Sequence, residues 1–209
     1  MEKTSKSDKQ VFFQEGESRK GRIRRQKLID AARDLYEEKG LSKTSVLDIT
    51  ERVGVTRSLY YHYFKNKNDI TTAVLDTYVD DFVEALHYWN EHRVPGSTEQ
   101  SLRSLLQIFR SFIFENNSFR LDLASTVNAS LYLRFVQRVA DQITRFLIEA
   151  AVDDYAALYP VEIENIYESI YALLSGLIAL IRSNPDIDQE IIVQISIQTL
   201  HLKVGMDKK

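Results

Sequence analysis

The residues best suited to meeting a polyanion lie between positions 56 and 67. Thr56, Arg57 and Ser58 come first, then Tyr61, His62, Tyr63, Lys65 and Lys67. An arginine can make a bidentate contact to guanine, roughly 1–3 kcal/mol of discrimination between bases. The tyrosines, the histidine and the lysines offer donors for phosphate oxygens, contacts that position a protein without reading sequence. Thr44 and Ser45 open an earlier helical segment, whose first backbone N–H groups favour a phosphate. Further upstream, Arg19, Lys20, Arg22, Arg24, Arg25 and Lys27 form a basic run without an acid. Arg24 and Arg25 are its candidate contacts. The chemistry implied is recognition of double-stranded nucleic acid.

Catalytic chemistry is poorly represented. There is no cysteine, which excludes a cysteine nucleophile, a thiolate metal site and a disulfide scaffold. His87 and His92 do not share a helix face, and Glu84 with His87 is a pair lacking a third ligand. No glycine-rich phosphate loop, nucleophile elbow or His-Glu-x-x-His motif is present. The sequence therefore predicts no enzyme, no metal and no cofactor.

Helices must hold these residues. With 209 residues, 44% hydrophobic and 27% charged, the chain can bury a sizeable core. Seven glycines and three prolines are too few for many strands and turns. The fold expected is all-α. Charge is divided: residues 1–70 carry 16 basic and 11 acidic side chains, the remainder 11 and 19. A basic front on an acidic body restricts a polyanion to the front. The apolar run Ala172 to Ile181 is too short for a bilayer span, and Val11-Phe12-Phe13 is too short for a secretory segment. These features predict a cytoplasmic protein with no membrane partner.

Residues 1–21 read as a disordered arm with a basic end, 22–67 as a DNA-binding domain and 68–209 as a second helical domain. The stripe Leu28, Ala31, Ala32 and Leu35 marks a helix from Arg22, stopped at Gly40. Ser45 and Asp48 make a capping box for a second, two-turn helix ending at Gly54. Thr56 caps a third. Asn66 and Asp69 start a long fourth helix through Ile70, Val74, Tyr78, Phe82 and Trp89, ending before Pro95-Gly96. Further helices are predicted at about 99–115, near Leu121, and from Asn128 to about Leu158. Another begins with Pro160 in its first turn and carries apolar residues through Ile181. A last one starts near Asp186 or Asp188. Its alternating Ile191, Val193, Ile195 and Ile197 would also suit a strand, but a strand without a partner is unstable, so helix is preferred.

Helices two and three, split by Val53-Gly54-Val55, form a helix-turn-helix. The third helix presents polar residues at the end that would enter a major groove. The segment Thr44-Ser45-Val46-Leu47-Asp48-Ile49, continued by Gly54-Val55-Thr56-Arg57-Ser58-Leu59-Tyr60-Tyr61-His62-Tyr63-Phe64-Lys65-Asn66-Lys67, resembles the TetR family of bacterial transcription regulators. The family often has glycine where Ser58 stands, and alanines in place of Thr50 and Val53. The resemblance implies a homodimer whose first three helices bind DNA and whose last two pack against the partner. By match to the motif, Thr44, Arg57, Ser58, Tyr61, His62, Tyr63 and Lys67 fall where the family contacts DNA. It also implies a small-molecule pocket in the body.

Aromatic density points to Phe82, Phe109, Phe112 and Phe135, with Asn116 and Asn128, as candidate ligand contacts. The wide apolar stripe between 161 and 182 suggests burial on several sides. Ile166, Ile170, Leu173, Leu177 and Ile181, with Ile191, Ile195 and Leu202, are the candidate dimer residues. A two-fold protein matches a palindromic operator. The function expected is a dimeric, sequence-specific DNA-binding regulator, a repressor released from its operator by an unknown small-molecule effector. The alternative is an architectural or division-linked DNA-binding protein without an inducer.

Overall fold

The computed structural model describes residues 19–94, 97–114, 118–123 and 125–203. Most of the expected arm and Asn116 lie outside these. Helix α1 (Arg19–Lys39) begins earlier than the apolar stripe suggests, so Arg19, Lys20 and Gly21 are its first turn rather than the end of an arm. It stops at Gly40, where φ is 90°. The left-handed region costs a residue with a Cβ but not glycine.

Helix α2 (Val46–Val53) starts at the Ser45–Asp48 capping box and ends at Gly54, φ 72°, whose N–H reaches the carbonyls of Glu51 and Thr50. Helix α3 (Arg57–Tyr63) is capped by Thr56, whose hydroxyl accepts from the Leu59 N–H. Helix α4 (Lys67–His92) is capped by Asn66. At 1.5 Å per residue it spans about 39 Å and runs from the head deep into the body.

The body continues with α5 (Thr98–Phe114) and α6 (Ser118–Leu123). A 3₁₀ turn (Thr126–Asn128) leads into α7 (Ala129–Leu147). The long helix expected to Leu158 is interrupted: Ile148–Val152 is a π-helical segment, followed by α8 (Asp153–Ala156). Helix α9 is Ile166–Ser183, and α10 is Gln189–Thr199, capped by Asp188. The Ile191–Ile197 alternation is therefore helical.

Pro160 does not open α9. Proline is tolerated in a first turn but does not nucleate one. Residues 160–165 instead cross the body without helix, Glu162 pairing with Lys203 at 3.0 Å.

Two apolar cores result. The first holds α1, Ile49, Tyr60, Phe64 and α4 as far as Tyr78. It also takes in Phe119, Leu123 and Leu131 from beyond the head. Phe119 lies between Tyr36 and Tyr78, centroids 5.3 and 5.4 Å away and both rings stacked. The second core gathers the rest of α4 with α5, α7, α9 and α10. Phe112 and Phe135 touch both.

Among the described residues α9 is the one helix whose length and composition alone would suffice to cross a bilayer, and 28% of it is buried in the fold. Its inner face, including Ile170, Leu177 and Ile181, packs in the second core.

Candidate nucleic-acid interface

The head is built so that one edge of α3 faces outward. Gly54 turns the chain, and Thr56 fixes the start of α3 through its bond to Leu59 N–H at 3.3 Å. Tyr60 points inward and is fully buried, its hydroxyl donating to the Asn66 carbonyl at 3.1 Å. Burial pushes that phenol well above its ordinary range. With Tyr60 as anchor, Thr56, Arg57, Ser58, Tyr61 and His62 are left on the exposed side. Tyr61 is 55% exposed and meets Tyr60 edge-on. This is the surface expected of a helix that reads a groove through its N-terminal residues.

Ser45 also lies on the outside, but its hydroxyl serves the cap. The Asp48 carboxylate accepts from the Ser45 N–H at 2.6 Å and from its hydroxyl at 2.7 Å, and Lys39 sits 3.0 Å away. The backbone bond first, then the hydroxyl and Lys39, lower the Asp48 pKa to about 2. Arg24 is exposed, whereas Arg25 is half-buried with its guanidinium 5.1 Å from the Phe64 ring centre. Arg52 grips Glu38 through two bonds, 2.9 and 2.7 Å, fastening α2 to α1. Lys43, exposed in the turn before α2, is a cation that the motif reading passes over.

Three candidates sit differently from expectation. Thr44 is 2% exposed, and its hydroxyl donates to the carbonyls of Gly40 and Leu35. It closes the α1–α2 turn instead of facing a phosphate. Lys67 donates from Nζ to the Leu41 carbonyl at 2.5 Å, and desolvation depresses its pKa. Tyr63 is half-buried against the first core, with His62 edge-on at 4.9 Å. Short-range spacing could not reveal these inward partners, because Leu35 and Leu41 are reached only once the turn has folded.

Residues 28–74 match the profile of the family described as bacterial regulatory proteins, tetR family. Over these residues the chain is similar to the tetR family. The match covers all of α2 and α3, with Gly54 and the exposed Arg57 and Ser58 inside it. Among curated tetR-like relatives, the HTH-type transcriptional regulator TtgR of Pseudomonas putida is 27% identical over 106 residues, 47% of each chain. The HTH-type transcriptional regulator BetI of Klebsiella pneumoniae is 33% identical over 85 residues, 40% of this chain and 43% of BetI. The chain thus aligns with less than half the length of these relatives. The likeness in fold extends further. A crystal structure of RolR in complex with resorcinol superposes with a TM-score of 0.58 at 18% identity, covering 90% of this chain and 92% of that one.

The body holds a cavity of about 180 Å³ at the far end of α4. Trp89, Leu105, Leu147, Ile163, Leu174 and Leu200 are among its lining residues. None of the aromatic ligand candidates lines it. Phe82 and Phe109 are 2% exposed core residues, 6.2 Å apart edge-on. Phe112 and Phe135 bridge the two cores, and Asn128 donates to the Asp122 carbonyl at 2.8 Å. Phe135 does border a separate, polar groove beside Arg138 and Tyr171.

The dimer candidates divide as well. Ile166, Ile170, Leu173, Leu177 and Leu202 line the cavity, and Ile181 is fully buried. Ile195 is half-buried against the second core, while Ile191 is 49% exposed. Outward on α9 are Ala172, Gly176 and Ala179. An apolar stripe in sequence marks burial but does not say whether the cover is the same chain or another.

Proposed function

We propose that the protein is a dimeric, sequence-specific DNA-binding transcription repressor, released from a palindromic operator by a small molecule held in the body cavity. The observation that carries this reading is the exposed edge of α3, with Thr56, Arg57, Ser58, Tyr61 and His62 outward and Tyr60 locked inward. Arg57 and Ser58 would read bases, Tyr61, His62 and Lys65 would hold phosphates, and Arg24 would add a backbone contact.

Dimerisation would place two such edges in successive major grooves. The outer faces of α9 and α10 favour it: Ala172, Gly176 and Ala179 allow close approach, and Ile191 supplies apolar area. Helix α4 provides the coupling. Ile70 lies in the head core, while Trp89 lines the cavity. A ligand that prefers one position of α4 would change the separation of the heads, and it can act only through that differential affinity.

The test is a binding titration of the purified chain against genomic fragments of its source, at several salt concentrations, with the bound fraction sequenced. Enriched palindromes are the expected result. Uniform, steeply salt-dependent binding would favour the architectural alternative, and no binding at low salt would overturn the DNA-binding reading.

A further inference from the structure

The charged side chains at the cavity are already matched. Arg93 has a side chain only 8% exposed and pairs with Asp154. It donates to the Ala150 carbonyl at 2.8 Å and to the Asn90 side chain at 2.7 Å, and it lies 5.3 Å from the Trp89 ring centre. Glu162, at the rim, is held by Lys203. The polar neighbours are also engaged: Trp89 Nε1 donates to Ser104 at 2.9 Å, the Ser196 hydroxyl to the Ile192 carbonyl at 2.8 Å, and the Lys203 N–H to the Tyr155 hydroxyl at 2.9 Å. Among the described residues no buried polar side-chain atom lacks a partner. Apart from the neutral hydroxyls of Ser97, Thr98 and Ser101 near the start of α5, the remaining wall is aliphatic, mostly leucine and isoleucine. A charged ligand would enter without a counter-charge, and burying an unpaired charge is strongly unfavourable.

Size sets the second limit. A cavity of about 180 Å³ slightly exceeds the roughly 150 Å³ that suffices for benzene in an apolar protein cavity, and because it is open to solvent on one side an alkyl chain longer than that volume alone would hold can extend its end to the rim. The π-helical segment Ile148–Val152 forms part of the wall through Ala151 and Val152, and its Ala150 carbonyl is the one bound by Arg93. Such segments are frequent at functional sites.

We infer that this cavity takes a neutral, predominantly aliphatic molecule of about the size of a medium-chain alcohol, and discriminates against carboxylates and ammonium ions of the same shape. This rests on the reading of the cavity as the effector site.

Trp89 is the only tryptophan in the chain and lines the cavity, so its emission reports occupancy directly. The probes are 1-octanol, octanoate and octylammonium, titrated against the full chain below the solubility limit of the alcohol and the micelle concentrations of the ions, with equilibrium dialysis to count sites. We expect saturable binding of 1-octanol at one site per chain, with both ions at least about tenfold weaker. Asp154→Asn keeps the shape of the rim but leaves Arg93 uncompensated, and should raise octanoate affinity several-fold relative to 1-octanol. Leu105→Phe fills the cavity and should abolish 1-octanol binding while the far-ultraviolet circular dichroism is retained. Octanoate or octylammonium binding the unaltered chain as tightly as 1-octanol would overturn the inferred class and leave the effector reading standing. Undiminished 1-octanol binding to a folded Leu105→Phe variant, or no saturable binding by the unaltered chain, would overturn the site. Saturable, neutral-selective binding that leaves operator affinity unchanged would uphold the ligand class and refute the effector role.

Discussion

Replacing Lys67 with Ala separates two roles. A phosphate contact would make Lys67 a determinant of DNA affinity. The structure instead has Nζ donating to the Leu41 carbonyl at 2.5 Å, joining the start of α4 to the turn that follows α1. A hydrogen bond from a charged group contributes about 1.5–3 kcal/mol, and partial solvent access to the vacated carbonyl brings the expected loss to about 1–2 kcal/mol. At about 2–4 °C per kcal/mol for a chain of this size, Tm should fall by about 2–8 °C. Thermal unfolding followed by circular dichroism measures this. Lys67→Met retains the aliphatic stem and should show most of the same loss. A DNA titration over several salt concentrations completes the test. The slope of log affinity against log salt should be unchanged for both variants, because no phosphate contact is removed. A slope shallower by about one unit with an unaltered Tm would refute the reasoning and return Lys67 to the phosphate backbone.

Arg57 is exposed, so Arg57→Ala should leave Tm within about 1 °C yet relax base preference at one or two operator positions by roughly 1–3 kcal/mol, read by selection from a randomised operator pool. The Asp48 carboxyl is held at about 2 in the folded chain, below its ordinary 3.8. Its stabilisation is therefore complete above the ordinary value and is lost as pH falls through about 2. The Tm difference between the unaltered chain and Asp48→Asn should be widest near neutral pH and close towards about pH 2, and a constant difference would count against the capping box as its source. At Gly54, φ is +72° and a Cβ would meet nothing within 4 Å. Gly54→Ala should thus cost only the left-handed conformation, about 1–2 kcal/mol, measured by denaturant unfolding, and a neutral effect would show that the turn adapts.

Local signals carried most of the head. Ser45 with Asp48, Thr56 with Leu59 and Asn66 with Asp69 are caps whose partners lie three residues away, so their types and spacing suffice. Gly40 and Gly54 stop helices for an equally local reason. Several features of the body and of the head's seam are long-range. Lys67 meets a carbonyl 26 positions away, and Arg93 is matched by Asp154 across 61. Phe82, Phe109 and Phe112 pack on one another, and composition alone does not distinguish a filled aromatic core from a ligand-lined one. The aliphatic stripe of α9 has the periodicity of a buried face, but which neighbour buries it depends on α5, α7 and α10 arriving in place.

The stacking of Phe119 between Tyr36 and Tyr78 limits how far this protein is modular. A recombinant exchange of reading heads would naturally cut the chain near residue 67, where the sequence motif ends. Such a cut passes through an apolar core rather than around it, since α6 supplies Phe119 and Leu123 to the same cluster as α1. The Ser42 N–H bonded to Asp122 at 2.8 Å adds a polar stitch across the seam. Positions 36, 78 and 119 therefore constitute one packing unit. A transplanted head would need its own matching α6, and a lineage that altered one of the three rings would be under pressure to alter the others.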